Sequence, residues 1–458
     1  MKSENMFDRS ISPQPGKSLT FKIPEIHQLK LSNGLDINFA YREKLPIVYT
    51  EIIVFSGSRL DPYEKKGLSY LTSLLIDEGA GEFNSLQLNE EFQKLGTIFS
   101  INSNHDTIIL SILSLTEHFR RSLELLSIII LQPRFEEKDF NREKKKVLDR
   151  ILQLKDEPSF IASSVFEKKV FDNTCYAFSE IGNENTVSLI TNTDIRNFYN
   201  NTITASNAKA IVIGNIKDTD AVELFSGYFN NWNTFSDNKQ LFIPPERSKT
   251  SCYFVHKGNS TQTEIRVGHI SKKRNSEDYY ATRIMNTILG GQFSSRINHT
   301  LREVKGFTYG ANSSFHYYKE SGLFEVSTAV NIENTGEAIL DILTELKNIR
   351  ENISLEEIEF AKSYLIKQFP SRFETYIQIA KNFESLIIHS LHKDDLKNYT
   401  GNLAGVGIEE VQSAAINNIH PDELVIIAVG DKVKIYSQLK EALGYNPIEL
   451  TIQGTNLS

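Results

Sequence analysis

From residue 25 onward the chain alternates between two apolar periodicities. LDINFAY (35–41) and IVYTEIIVF (47–55) place apolar residues at every second position or in short unbroken runs, and the turn signals Asn33-Gly34 and Gly57 bound them. That pattern predicts strands. Between Gly67 and Gly79, Leu68, Leu71, Leu74 and Leu75 recur at spacings of three and four, one face of a helix that Gly79 ends. Ser85 can cap a second helix that ends at Gly96, and TIFSINSN (97–104) and TIILSILS (107–114) read as strands. Thr116 starts a helix that stops at Pro133, and a long helix runs from Glu136 to Lys155. Pro158 opens another helical stretch to about Phe171, Ser188–Tyr199 is helical, and AKAIVIGN (208–215) is a buried strand.

The segment WNTFSDNKQLFIPPERSK (232–249) is polar, carries Pro244-Pro245 and reads as a linker. After it the order returns. SCYFVHKG and TEIRVGHI are strands, Tyr279–Leu289 and Ser294–Val304 are helices, and FTYGANSSFHYY pairs with GLFEVSTAV. Thr335–Arg350 is a helix, Ser354 and Glu357 form a capping box for the next, IEEVQSAAINN is helical, and ELVIIAVGD closes the set. AIVIGN (210–215) mirrors IIAVGD (426–431), and the helix ending at Gly79 mirrors the one ending at Gly290-Gly291. The chain therefore reads as a duplicated α+β unit, each copy mixing antiparallel strands with helices. The expected divisions are an arm (1–24), a first domain (25–231), the linker (232–249), a second domain (250–445) and a tail (446–458).

Composition narrows the function classes. The 458 residues are 40% hydrophobic and 24% charged, ordinary for a globular chain of this length. The net charge of −8 argues against a nucleic-acid partner, which calls for a basic stripe. Cys175 and Cys252 are far apart with no C-x-x-C spacing, and read as free thiols in a reducing compartment. The N-terminus lacks the apolar run of a secretory signal, and no stretch approaches the ~20 apolar residues of a membrane span. The expected compartment is the cytoplasm.

Two stretches carry the chemistry. GLSYLTSLLIDEG (67–79), with the long helix containing NREKKKVLDRIL, resembles the metal-binding region of the pitrilysin and insulinase family of metallopeptidases, peptidase family M16, which includes the mitochondrial processing peptidase. There the first helix carries H-x-x-E-H, two imidazoles one turn apart with a general-base glutamate, and the later helix supplies a third, glutamate ligand. The matching positions here are Tyr70, Ser73, Leu74 and Arg150. Leucine has no lone pair, tyrosine is a phenol, and arginine repels a cation, so the metal site reads as lost. The second stretch, GGQFSSRINHTLREVKGFTYG (290–310), is similar to the family's G-G-x-F-S-S-R, L-R-E and G-x-x-Y elements. In the family the arginine and tyrosine matching Arg302 and Tyr309 hold substrate near the zinc. A guanidinium offers a rigid fork to peptide carbonyls, and a phenol can donate to an oxyanion.

The resemblance implies two α/β sandwich half-domains of the mitochondrial-processing-peptidase/LuxS-like metallohydrolase type. It also implies a non-catalytic subunit of a heterodimeric peptidase. The partner, a catalytic M16 subunit, would supply H-x-x-E-H and the zinc, this chain would hold no cofactor, and Arg302 and Tyr309 would bind the peptide substrate. The alternative is an inert scaffold or binding protein of the same fold.

Other candidates read as structural. Glu143 matches an acidic position that supports the zinc site in active relatives, and is expected to pair with Arg150 on the same helix. His389 and His392, at i and i+3, read as solvated or half-buried, and His105 and His316 as structural. Lys319 and Glu320 read as a solvated hairpin tip, and strands near Phe307 and Phe324 as an edge open to an extended peptide.

Overall fold

The computed structural model of the protein describes residues 22–234, 242–245 and 249–457. Most of the arm, the central part of the linker and Ser458 lie outside the described residues. In the first half the chain forms β1 (His27–Lys30), β2 (Asp36–Tyr41), β3 (Ile47–Val54), α1 (Leu68–Leu75), β4 (Gly79–Ala80), β5 (Phe83–Asn84), α2 (Ser85–Lys94), β6 (Ile98–Ser103) and β7 (Ile108–Leu115). There follow α3 (Phe119–Leu131), α4 (Glu137–Leu154), α5 (Pro158–Phe171), α6 (Glu184–Leu189), α7 (Asn192–Thr202), β8 (Ala208–Gly214) and α8 (Asp218–Phe229).

The second half begins with β9 (Ser251–His256), β10 (Gln262–Ser271), α9 (Tyr279–Leu289), α10 (Arg296–Asn298), a π-helical turn (His299–Val304), β11 (Thr308–Tyr317) and β12 (Gly322–Asn331). It continues with α11 (Thr335–Glu351), α12 (Leu355–Gln368), α13 (Tyr376–Ile388), α14 (Asp395–Gly405), α15 (Ile408–Asn418), β13 (Val425–Gly430), α16 (Lys432–Leu443) and β14 (Ile448–Leu450). None of the described helices is long and apolar enough to cross a membrane.

The two large sheets share one plan. The first runs β1-β2-β8-β3-β7-β6, and the second, from its opposite edge, β14-β9-β13-β10-β12-β11. β2–β8 and β9–β13 are parallel, and the next pairings inward are antiparallel in both sheets. Five strands thus repeat in the same chain order with the same pairing sense, as the duplicated α+β reading expects. Only the outer strand differs: β1 runs antiparallel to β2 and comes first, whereas β14 runs parallel to β9 and comes last.

The halves interlock through one helix each. α5 leaves the first half to pack on β10 and β13, and α13, its counterpart, packs on β3 and β8. Ile161, Val165 and Phe166 of α5 join Val425, Ile427 and Val429 in one buried cluster. Ile379 and Phe383 of α13 join Tyr49, Ile53, Ile211 and Ile213 in another. With helices on both faces, the central strands are buried on both sides, which is why β8 and β13 read as near-continuous apolar runs.

Several local expectations shift by a few residues. Asn84, not Ser85, caps α2, because its side chain and that of Gln87 satisfy each other's backbone. Ser188–Tyr199 is two helices, since Thr191 caps the second in a box with Asp194. The Ser354–Glu357 box is present. The hairpin tip at Lys319-Glu320 is not solvated. Lys319 N–H donates to Asp106 Oδ2 at 2.8 Å, and its ammonium lies 4.1 Å over Phe55. Glu320 N–H donates to Tyr176 Oη at 3.2 Å, and Tyr318 stacks on Tyr176. The tip finds buried acceptors on the other half, a long-range match that no local pattern encodes.

At matched positions the two interlocks bury opposite charges. Arg266 on β10 pairs in register with Ile427, and Glu51 on β3 with Ile211. Arg266 is satisfied by Glu264 at 3.0 Å, Glu325 at 3.1 Å and Ser163 Oγ of α5 at 3.1 Å. Glu51 receives the Tyr49 hydroxyl at 2.8 Å, but its Oε1 accepts no hydrogen bond, and the facing Lys381 on α13 is ion-paired to Glu384. Burial first, then the Glu384 carboxylate, pushes Glu51 from 4.5 up to about 7. A raised acid keeps its proton in the folded chain and loses it on unfolding, so its contribution is whole below pH 4.5 and vanishes as pH rises through about 7. Asp61 and Glu180, both raised to about 7 mainly by burial, tilt stability the same way. Urea unfolding at pH 5 and pH 8 is therefore expected to find the protein less stable at pH 8. Glu51→Gln should remove on the order of 3 kcal/mol of that difference; an unchanged difference would sink this reading of Glu51.

Candidate functional site

The first of the two sequence-predicted regions lies on α1 and α4, which pack against each other. α1 starts at Gly67, whose φ of +97° is left-handed, and Asp61 caps it from outside the helix. Asp61 Oδ2 accepts from Gly67 N at 2.9 Å and Oδ1 from Ser69 N at 2.8 Å, while Lys66 Nζ returns to Asp61 O at 2.9 Å. The cap is buried, so its loss is not made good by water.

Of the four positions matched to metal ligands, Tyr70 and Leu74 pack against the first-half core. Ser73 Oγ donates to Tyr70 O at 2.7 Å. Arg150 is half exposed and reaches Glu157 at 3.2 Å and Gln153 at 3.4 Å. A zinc ion, which wants imidazole, thiolate or carboxylate, does not fit this set. No group of three or more His, Cys, Asp or Glu residues among those described is arranged to hold a metal.

The expected Glu143–Arg150 pair does not form. Seven residues along one helix is a rise of about 10 Å, and nearer cations win. Glu143 is buried and receives Arg142 Nε at 3.0 Å and Lys146 Nζ at 2.7 Å. Arg142 also reaches Asp139 at 2.6 Å and Glu78. Burial would raise Glu143, but Lys146 and Arg142 hold it below the usual carboxylate value. The acidic surroundings of the matched site are thus neutralised by side chains of the same helix. The histidine readings need no revision: His389 is pushed down to about 4 by burial and Arg274, and His392 is exposed beside Asp394.

The second region is built differently. Gly290 closes α9, and a Cβ there would collide with Ser313 of β11, so the loop lies directly on the strand. Arg296 is an anchor. It grips Glu357 at 2.6 and 2.8 Å and Asn352 O at 2.7 Å, tying the loop to the start of α12. Burial would raise Glu357, but Arg296 and Ser354 hold it down at about 2. Leu301 is fully buried, and Lys305 pairs with Glu337 and Asp341 of α11. The expected single helix over Ser294–Val304 is instead α10 running into the π-helical turn, with Lys305 N bonded to Thr300 O. Gly306, at φ +66°, then turns the chain into β11.

This scaffolding leaves two side chains outward. Arg302 has 37% of its side chain exposed, its guanidinium rests 4.4 Å over the Phe293 ring, and its Nε lies 3.5 Å from Glu303. Tyr309 is 92% exposed. Phe293 and Val304 are also exposed, so the guanidinium is flanked by apolar surface. The sequence reading missed Asp61, Arg142 and Asn298, the last a buried amide between Arg296 and Arg302 whose only signal is a poor helix former in mid-motif.

Comparison with known proteins agrees with this division. Residues 39–180 match the family model described as "Insulinase (Peptidase family M16)", and residues 189–365 the one described as "Peptidase M16 inactive domain". The chain is 23% identical to "Uncharacterized zinc protease YmxG" of Bacillus subtilis, over 85% of this chain and 95% of that one. It is 18% identical to "Non-peptidase homolog YmxG" of Helicobacter pylori, over 87% and 94%. Among solved structures, the peptidase M16 inactive domain from Pseudomonas fluorescens superposes with a TM-score of 0.84 at 21% identity, covering 89% of this chain and 98% of that one. A protease from Helicobacter pylori gives 0.82 at 18%, covering 89% and 100%.

Two outcomes check the site. Asp61→Ala should cost about 1–3 kcal/mol in urea unfolding, since two buried N–H groups lose their acceptor; a loss under about 0.5 kcal/mol would mean the cap is idle. Restoring the ligand set with Tyr70→His, Ser73→Glu, Leu74→His and Arg150→Glu should raise bound zinc, by elemental analysis, from substoichiometric to about one per chain. Stoichiometric zinc in the unaltered protein would overturn the placement of all four residues.

Proposed function

Because the chain belongs to peptidase family M16 and its two halves keep unequal shares of the expected equipment, we propose that it is the zinc-less subunit of a heterodimeric metallopeptidase. Acting alone, it hydrolyses no peptide. Its partner, an M16 chain with an intact H-x-x-E-H motif, supplies the zinc-activated water. Arg302 steers the peptide by donating to a backbone carbonyl, and Tyr309 donates to the oxyanion that forms when water attacks. The observation that carries this reading is the contrast between the regions. The positions matched to metal ligands hold a leucine, an arginine and two hydroxyl side chains, a set ill suited to zinc, whereas the motif of residues 290–310 presents Arg302 and Tyr309 outward on a well-anchored scaffold.

The second reading, an inert scaffold, draws support from the name of the Helicobacter relative, a non-peptidase homologue. The two separate in one assay. The purified chain and a motif-bearing M16 chain from the same genome are tested apart and mixed on a quenched fluorescent decapeptide of mixed sequence. The composite site predicts no cleavage by this chain alone and a gain on mixing. It also predicts that Tyr309→Phe lowers kcat of the mixture by about 10²–10³ and that Arg302→Ala mainly raises KM. No gain with any such chain would favour the scaffold.

A further inference from the structure

Arg302 and Tyr309 belong to different elements, the π-helical turn and β11, joined through Gly306. Their relative placement depends on whatever ties those elements together. One buried side chain does so. Asn298 is 4% exposed; its Nδ2 donates to Phe293 O at 2.6 Å, and its Oδ1 accepts from Ala311 N at 3.0 Å. The first bond holds the residue whose ring lies under the Arg302 guanidinium. The second holds the strand two residues past Tyr309.

The strand is irregular at this point. The pairing of β11 with β12 shifts register between Thr308 and Ala311, and Gly310 O accepts from Thr308 Oγ1 at 2.9 Å and Thr328 Oγ1 at 3.0 Å. Such a bulge re-aims the side chain it carries, here Tyr309, and Asn298 supplies the acceptor for the Ala311 N–H beside it. An amide suits the task because it offers a donor and an acceptor about 2 Å apart on a rigid plane. A carboxylate lacks the donor and an aliphatic residue lacks both.

We infer that Asn298 is a positioning residue for the Arg302–Tyr309 pair, setting Phe293, and the guanidinium resting on it, at a fixed place relative to the bulged start of β11. This rests on the reading of Arg302 and Tyr309 as the substrate-holding pair. Asn298 acts on peptide binding through Arg302, since Tyr309 serves the oxyanion and not binding, so its removal should be felt there and not as a separate loss.

The test is a double-mutant cycle on the full-length protein, with a fluorescein-labelled version of the same decapeptide as probe and anisotropy as readout. Arg302→Ala and Asn298→Leu are each expected to weaken binding about ten-fold, and the double variant no more than either alone. Asn298→Asp, which keeps the acceptor for Ala311 but loses the donor to Phe293, should behave like Asn298→Leu in binding and guards against a leucine variant that fails to fold. In parallel, backbone hydrogen exchange of residues 307–317 should speed up in Asn298→Leu and stay near normal in Asn298→Asp. If Arg302→Ala weakens binding but neither Asn298 variant does, or if their losses multiply, Asn298 is a structural residue and the inference falls. If Arg302→Ala leaves binding unchanged, the substrate-holding reading fails first and the inference with it.

Discussion

Neither half of this chain can bury both faces of its sheet with its own helices. Each sheet has its own helices on one side and, on the other, an apolar face closed by a helix from the opposite half, α5 over β10 and β13 and α13 over β3 and β8. The remaining architecture follows from this exchange. The central strands are buried on both faces, the hairpin tip at 318–320 is pressed into the first half, and each half gives up a helix that covers its partner's sheet. Interlocking of this kind couples the halves into one stability unit, because exposing either interface removes several large side chains from apolar surroundings at once.

The exchange also explains where charge is tolerated. At the α5 interface the buried Arg266 meets two glutamates and a serine, whereas at the matched place under α13 the buried Glu51 meets a tyrosine and a lysine already paired to Glu384. A buried charge is cheap only when fully partnered. Duplication thus produced one interface whose ion is satisfied and one whose carboxyl keeps a proton to higher pH.

The site regions diverged along the same division of labour. In the first half, the carboxylates around Glu143 are neutralised by Arg142 and Lys146 without a bound ion, and Tyr70 and Leu74 take up core packing. In the second half, most motif residues serve as anchors: Arg296 on Glu357, Leu301 in the core, Lys305 on α11, Asn298 across to β11. Their combined effect is to leave Arg302 and Tyr309 outside on a stiff support.

Much of this was legible in the sequence by itself. Period-two and period-four apolar patterns, with Gly and Pro as punctuation, mark most of the central strands and the helices from α1 to α5, though not α8, α13, α14 or α16, and the twin endings AIVIGN and IIAVGD reveal the duplication, because these signals are local and depend only on which residues share a strand or helix face. The unsuitability of Tyr70, Ser73, Leu74 and Arg150 for zinc is likewise a matter of side-chain chemistry at fixed spacing. Only the tertiary structure decided which helix crosses to which sheet, that Glu143 is held by Arg142 and Lys146 in preference to Arg150, that the Lys319-Glu320 tip is docked, and that Asp61 and Asn298 hold the two site regions in place. Each of those rests on a hydrogen bond, ion pair or packing contact chosen among competitors by three-dimensional proximity, which the order of residues along the chain does not specify.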